Sequence, residues 1–499
     1  MRAVRPDPAP APRERYLAIA AALARRGGLE TEAHLASQIR LADLADRLGV
    51  SRTALYRRWP TRHQFWIDLS KFLAYCNDFA QPEPALPWNR QLGTLDERGE
   101  FDHPEERPRE TIDVVRTTMN GLQQFVLADP WIVVRAAQLA YAEMPELAHV
   151  RAKVEQGRLD LMTREIAERL HRNSLTTVPP LTVHDMSVAM WCVSDGLGVA
   201  NVYLPEVASE RLSFDDGAGT QPWSLLGFAY RALLFEATKP DQGATPTDAS
   251  ESGVHGAARS EQDGNAAVSE HWNAGQREAL ETATTMLLDS LTAEAPTPRL
   301  ELLGHVTVDR IARAANVSRR AIYDIWPTRD DLIVDLLGAL LDEDARRLCT
   351  VFEGAANRPA TAGLRPTLGQ VVDVVLFGGD GRGLARGSGR PQDGHELEQA
   401  ALAGLPDAHR QPIKGLLRAR HRHLVDSLAE PISAIVCADG APLRAEVTPQ
   451  QLTLTVLALV DGARRILRSN PAAVRRPEPS TRSTVGAAAD ALAAASVVR

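Results

Sequence analysis

The chain has 499 residues, more than one hydrophobic core usually supports, so two or more domains are expected. Hydrophobic residues make up 44% and charged residues 24%, an ordinary globular balance, and the net charge of −8 argues against indiscriminate binding to nucleic acid. Cys76, Cys192, Cys349 and Cys437 lie far apart with no CxxC pair, which argues against a disulfide framework or a structural zinc site.

No apolar run approaches the roughly 20 residues of a membrane span, and the Pro-rich leader lacks a signal-peptide pattern; the reading is cytoplasmic. Arg13 to Arg26 reads as an amphipathic helix stopped by Gly27 and Gly28. Leu41 to Arg62 then reads as helix, tight turn and helix. Leu44, Ala45 and Leu48 share an apolar face, Gly49 suits a left-handed helix end, and Ser51 suits an N-cap. Leu55 and Trp59 point to a core, whereas Arg52, Thr53, Tyr56 and Arg57 share the opposite face. Gln64 to Tyr75 continues as a helix, and Asp78 to Arg109 reads as a loop or lid.

Helical periodicity follows over Thr111 to Leu127, Pro130 to Ala142, Leu147 to Arg172, Val183 to Tyr203 and Pro222 to Ala237. Lys239 to Ser269 has the composition of a flexible linker. Helices are expected again over Ala274 to Leu291, a second helix-turn-helix, Asp330 to Leu348, Glu396 to Leu405, Arg410 to Ala434 and Thr448 to Ser469, interrupted by Gly-rich Gly378 to Gly394. The tail from Pro471 to Arg499 opens polar and ends Ala-rich, with at most a weak helix. No run alternates with period two, so the fold is expected to be all-α.

The two helix-turn-helix stretches are copies. At an offset of 267 residues, Ala45, Val50, Ser51, Arg52, Ala54, Tyr56, Trp59, Pro60, Thr61 and Arg62 meet identical partners, from Ala312 to Arg329. Asp195-Gly196 and Asp461-Gly462 echo each other at 266. Positive charge gathers at the copies: six arginines face two aspartates between Arg40 and Arg62, and five face two between Thr307 and Arg329.

Gly49-Val50-Ser51, Leu55-Tyr56, Trp59 and Arg62, with Asn316-Val317-Ser318, Ile322-Tyr323, Trp326 and Arg329, resemble the DNA-binding motif of the TetR/AcrR family of transcriptional regulators. Trp stands where Phe is usual, and Arg where Lys is usual. The resemblance implies two units, each a three-helix DNA-binding domain followed by a helical ligand-binding and dimerisation domain. Their expected bounds are 10–76 and 77–238, then a linker over 239–270, then 271–342 and 343–470, and a tail over 471–499. That family works as homodimers; one chain with two units is expected to form an intramolecular pseudo-dimer, with further homodimerisation open.

What the resemblance implies is a repressor released from operator DNA by a small ligand. Arg52, Thr53, Arg319 and Arg320 are the candidates for base contact. Ser51, Ser318, Tyr56, Tyr323, Arg62 and Arg329 suit the phosphate backbone. Capping alone would also explain the serines, and packing would explain Tyr56. Thr53 is matched by Arg320 and Arg57 by Asp324, so an asymmetric operator is expected, unless the second unit serves only as a dimerisation scaffold. A ligand pocket for a small apolar or aromatic molecule is placed in the aromatic-rich first half, near Trp131, Tyr141, Met144, His149, Met186, Met190 and Trp191. His421 and His423 among arginines read as a solvated basic face, and no cofactor or metal is expected. No nucleophile with a base at a recognisable spacing points to an enzyme. The rival class is a structural protein binding DNA without sequence preference.

Overall fold

A computed structural model describes residues 41–61, 64–65, 67–69, 116, 119–120, 145–172, 174–215, 220–240, 307–358, 366–377, 407–474 and 482–498. It is mostly helical. The expected helices over Arg13 to Arg26, Pro130 to Ala142, Ala274 to Leu291 and Glu396 to Leu405, the lid and the Gly-rich interruption lie outside the described residues, as do all but three residues of Thr111 to Leu127.

Among the described residues the first half runs through α1 (Leu41–Leu48), α2 (Arg52–Arg58), α3 (Pro145–Arg172), β1 (Leu175–Thr177), α4 (Val183–Tyr203) and α5 (Pro205–Ala208). β2 (Arg211–Asp215), β3 (Thr220–Ser224), α6 (Leu225–Glu236) and β4 (Thr238–Pro240) follow. The second half comprises α7 (Val308–Ala315), α8 (Arg319–Tyr323), α9 (Arg329–Ala356), α10 (Leu368–Phe377), α11 (Asp407–Val436), α12 (Pro449–Ser469) and α13 (Thr484–Ser496).

The centre of the molecule is the packing of α4 on α12. Both are 21 residues long and begin at the same point of the repeat, because Thr182 and Thr448 each cap a helix through a reciprocal box with the residue three on. Neither helix has a polar side facing solvent over most of its length; each is buried nearly all round. They cross at glycines. A Cβ on Gly196 would collide with the Ala458 carbonyl, and a Cβ on Gly462 with the Cys192 carbonyl. The contact is therefore reciprocal: each glycine meets the residue that matches its partner's neighbour at the 266-residue echo. Asp195 and Asp461, beside those glycines, hold Arg465 at 3.6 Å and Arg464 at 3.5 Å. Burial of Cys192 in this crossing pushes its thiol well above the usual range.

The capping residues also tie the halves together. Asp185 accepts from the hydroxyl of Thr484, and Gln451 donates to Glu210 at 2.9 Å. Asn470 donates to Gln156 at 2.8 Å, and Arg422 pairs with Glu206. His421 and His423 thus lie on a helix whose expected basic face is partly used in docking. Glu206 is held below the usual carboxylate range by a backbone N–H and then by Arg422.

The mostly helical structure is compatible with the all-α expectation, with a small addition. Two short antiparallel ladders are present, β1 with β4 and β2 with β3. In β2, buried Leu212 and Phe214 alternate with exposed Arg211 and Ser213, a period of two too short to stand out. Residues 220–224, expected to open a helix at Pro222, are strand, and α6 starts only where Ser224 caps it. Lys239 and Pro240, assigned to the linker, pair with Leu175 and Thr176.

The expected weak tail helix is also different in kind. α13 is buried along most of its length, its Gly486 carbonyl pressed against Gly369 of α10, so this stretch belongs to the core. Small residues let it approach so closely, and small residues are what made it read as weak.

Candidate nucleic-acid interface

In each copy the turn is built from the same hydrogen bonds. Gly49 at φ +65° and Asn316 at φ +55° take the left-handed conformation, and the next residue closes the helix: Val50 N donates to Ala45 O at 3.0 Å, Val317 N to Ala312 O at 2.9 Å. The chain then re-enters a helix at once. Ser51 Oγ accepts from Ala54 N at 3.2 Å and Ser318 Oγ from Ala321 N at 3.3 Å. Both serines are caps, and each hydroxyl keeps its proton to donate outward.

Inside, Leu55 and Trp59 are buried, as are Ile322 and Trp326. Each indole is pinned by an acid nine residues on: Trp59 Nε1 donates to Asp68 Oδ2 at 2.9 Å, and Trp326 Nε1 to Asp335 Oδ2 at 2.6 Å. Trp59 also meets Phe65 edge to face at 5.1 Å. Thr61 and Thr328 cap the helix that follows, accepting from Gln64 N and Asp331 N, both at 3.1 Å. The aspartates Asp68 and Asp335 were not singled out from the sequence, although their common spacing from the tryptophans was there to be found.

With the core side fixed, the other side faces solvent. Arg52, Thr53, Arg57, Arg319, Arg320 and Asp324 are exposed. Tyr56 is 50% exposed against 2% for the adjacent Leu55, and Tyr323 is 47% exposed, so neither tyrosine is a packing residue. Arg329, at the start of α9, is half-buried; Arg62 lies outside the described residues. Each short helix therefore presents its N-terminal cations and a phenol on one open face.

The chain matches no family model and no curated protein.

The copies differ in how their leading arginines are held. Among the described residues Arg52 has one ion pair, Nη2 to Asp46 Oδ2 at 3.9 Å. Arg319 is gripped along one edge by Asp309: Nη2 donates to Oδ2 at 2.5 Å, and Nε pairs with Oδ1. At the offset of 267, Asp309 is matched by Ala42, and Asp46 by Arg313.

Four of the seven residues expected to line a ligand pocket are among the described residues. Met186 and Met190 are packed in the core, Trp191 is half-buried beside them, and His149 is exposed on α3. Trp131, Tyr141 and Met144 lie outside the described residues. Trp223, Phe214 and Phe235 instead surround Arg231, at 5.9, 5.3 and 5.4 Å from its guanidinium, under the β2–β3 ladder. Among the described residues no group of three or more His, Cys, Asp or Glu could hold a metal ion, and no helix is long and apolar enough to cross a membrane.

Proposed function

We propose that the chain is a cytoplasmic, sequence-specific DNA-binding transcriptional regulator of the TetR/AcrR type, in which one polypeptide supplies both halves of the usual dimer. The observation that carries this reading is the pair of Ser-capped helices α2 and α8. Each is braced from behind by a hydrogen bond from a buried Trp to a half-buried Asp, and each offers an arginine and a half-exposed tyrosine to solvent. A duplex recognised through the major groove needs this division: base edges are met by the first residues of a helix, while hydroxyls and cations hold the phosphates. The reciprocal crossing of α4 and α12 supports a pseudo-dimer, since it supplies within one chain the self-complementary contact that two chains otherwise make.

In this reading the helical body binds a small apolar or aromatic molecule and moves the two recognition helices off operator spacing, which requires the ligand to prefer the released geometry. Repression follows as the default output. The unequal faces of α2 and α8 favour an asymmetric operator, because Asp324 stands where Arg57 stands in the first copy.

Selection of binding sites from random duplex DNA by the full chain tests this directly. The expected product is one site with two unlike half-sites. Near-perfect inverted repeats would overturn the asymmetry. Absence of any enriched sequence would leave a structural protein that binds DNA through its phosphates alone. Light scattering should give a mass near the chain's 54.3 kDa for the DNA-binding species; twice that value would overturn the single-chain arrangement.

A further inference from the structure

We infer that Asp309 is a positioning residue for Arg319, and that the second unit consequently reads guanine more stringently than the first. This rests on the DNA-reading proposal above. A guanidinium has two edges that present parallel N–H pairs. Asp309 occupies the one formed by Nε and Nη2. Among the described residues nothing is bonded to the Nη1–Nη2 edge, which leaves one pair of parallel donors able to match the O6 and N7 acceptors of guanine. Adenine presents a donor in place of O6, so a guanidinium held in one plane rejects it.

The pair adds little to the fold: both side chains are well exposed, 68% for Arg319 and 43% for Asp309, and an ion pair in water contributes little. Its effect is on freedom and charge. A free arginine turns among many rotamers and settles on any nearby phosphate, whereas a guanidinium already bonded to a carboxylate has lost part of that entropy before DNA arrives. The carboxylate also offsets its charge, which weakens phosphate binding and leaves directional hydrogen bonds as the main attraction. In the first unit the matching position is Ala42, and among the described residues Arg52 is held by its 3.9 Å contact alone. Arg52 therefore remains a tolerant cation.

Binding-site selection with the wild-type chain and with Asp309→Ala, Asp309→Asn and Ala42→Asp, each checked for an unchanged thermal melt, tests the inference. Wild type should enrich one half-site with a strict guanine. Both Asp309 variants should relax the preference for guanine over adenine at that position about tenfold, with other positions unchanged. Ala42→Asp should sharpen guanine in the opposite half-site. A purely structural Asp309, supporting the first turn of α7, would instead lower affinity for all four bases alike, and that result overturns the inference. So does an enriched site that the Asp309 variants leave unaltered, with DNA reading itself intact. If the wild-type chain enriches nothing, the DNA-reading proposal falls and takes this inference with it.

Discussion

Gly196 lies so close to the Ala458 carbonyl that a methyl group would collide with it, and Gly462 stands in the same relation to Cys192. An alanine in an open helix is worth about 1 kcal/mol over glycine. Overpacking a tight contact costs about 3 kcal/mol, so the collision wins here and Gly196→Ala should lose about 2 kcal/mol in urea unfolding. Gly157, on the exposed side of α3 with no atom near its added Cβ, should behave oppositely and gain about 1 kcal/mol as alanine. A Gly196→Ala, Gly462→Ala double variant should cost less than the two singles together, since the first collision already parts the helices.

Trp326→Phe keeps the ring and removes the Nε1 donor to Asp335. A lost hydrogen bond to a half-buried carboxylate should cost about 1.5 kcal/mol, and Trp59→Phe should do the same through Asp68. Because these bonds brace α8 and α2, DNA affinity should fall with stability in both variants. Unchanged melting in both would remove the bracing role.

Asp373 is the buried counterpart of Asn120. Asn120 Oδ1 accepts from Ser224 N at 2.7 Å at the start of α6, and Asp373 Oδ2 accepts from Ser483 N at 3.4 Å at the start of α13. Burial pushes the Asp373 carboxyl up, against the hydrogen bonds from Ser483. The folded state then holds the proton more tightly than the unfolded chain, so this group's contribution to stability falls as pH rises from the unfolded pKa through the raised folded one. Asp373→Asn should melt a few degrees higher than wild type at neutral pH, and the gap should close in acid, below the ordinary carboxylate range. A gap that widens in acid would reverse the assignment.

Asp324 faces solvent where the first copy has Arg57. If α8 meets DNA, Asp324→Arg should raise affinity and steepen the fall of log K with log salt by about 1, the signature of one added phosphate contact. No change in slope would place that face away from the duplex.

Much of this structure was legible in residue patterns. The cap at Ser51, the left-handed end at Gly49 and the burial of Leu55 and Trp59 follow from local chemistry, and the same pattern recurred in the second copy. Val183 to Tyr203 emerged with its bounds intact because breakers flank a continuous apolar helix. The Asp-Gly echo at 266 turns out to lie where α4 crosses α12, which the pattern alone does not reveal. What escaped depends on distant partners. The grip of Asp309 on Arg319 spans two helices, the β2–β3 ladder has only two inward residues on β2, and α13 is buried through small side chains that carry little hydropathy.

The crossing of α4 and α12 is reciprocal at its glycines but not in its charges: Asp195 meets Arg465, while the residue matching Arg465 in α4 is Val199. In an assembly of identical chains every substitution at a two-fold contact is imposed twice, so a favourable change on one side arrives with its mirror image whether or not that fits. A single polypeptide carrying both faces escapes that constraint. Each helix can be altered alone, and the two ends of the molecule are free to specialise while the joint between them holds.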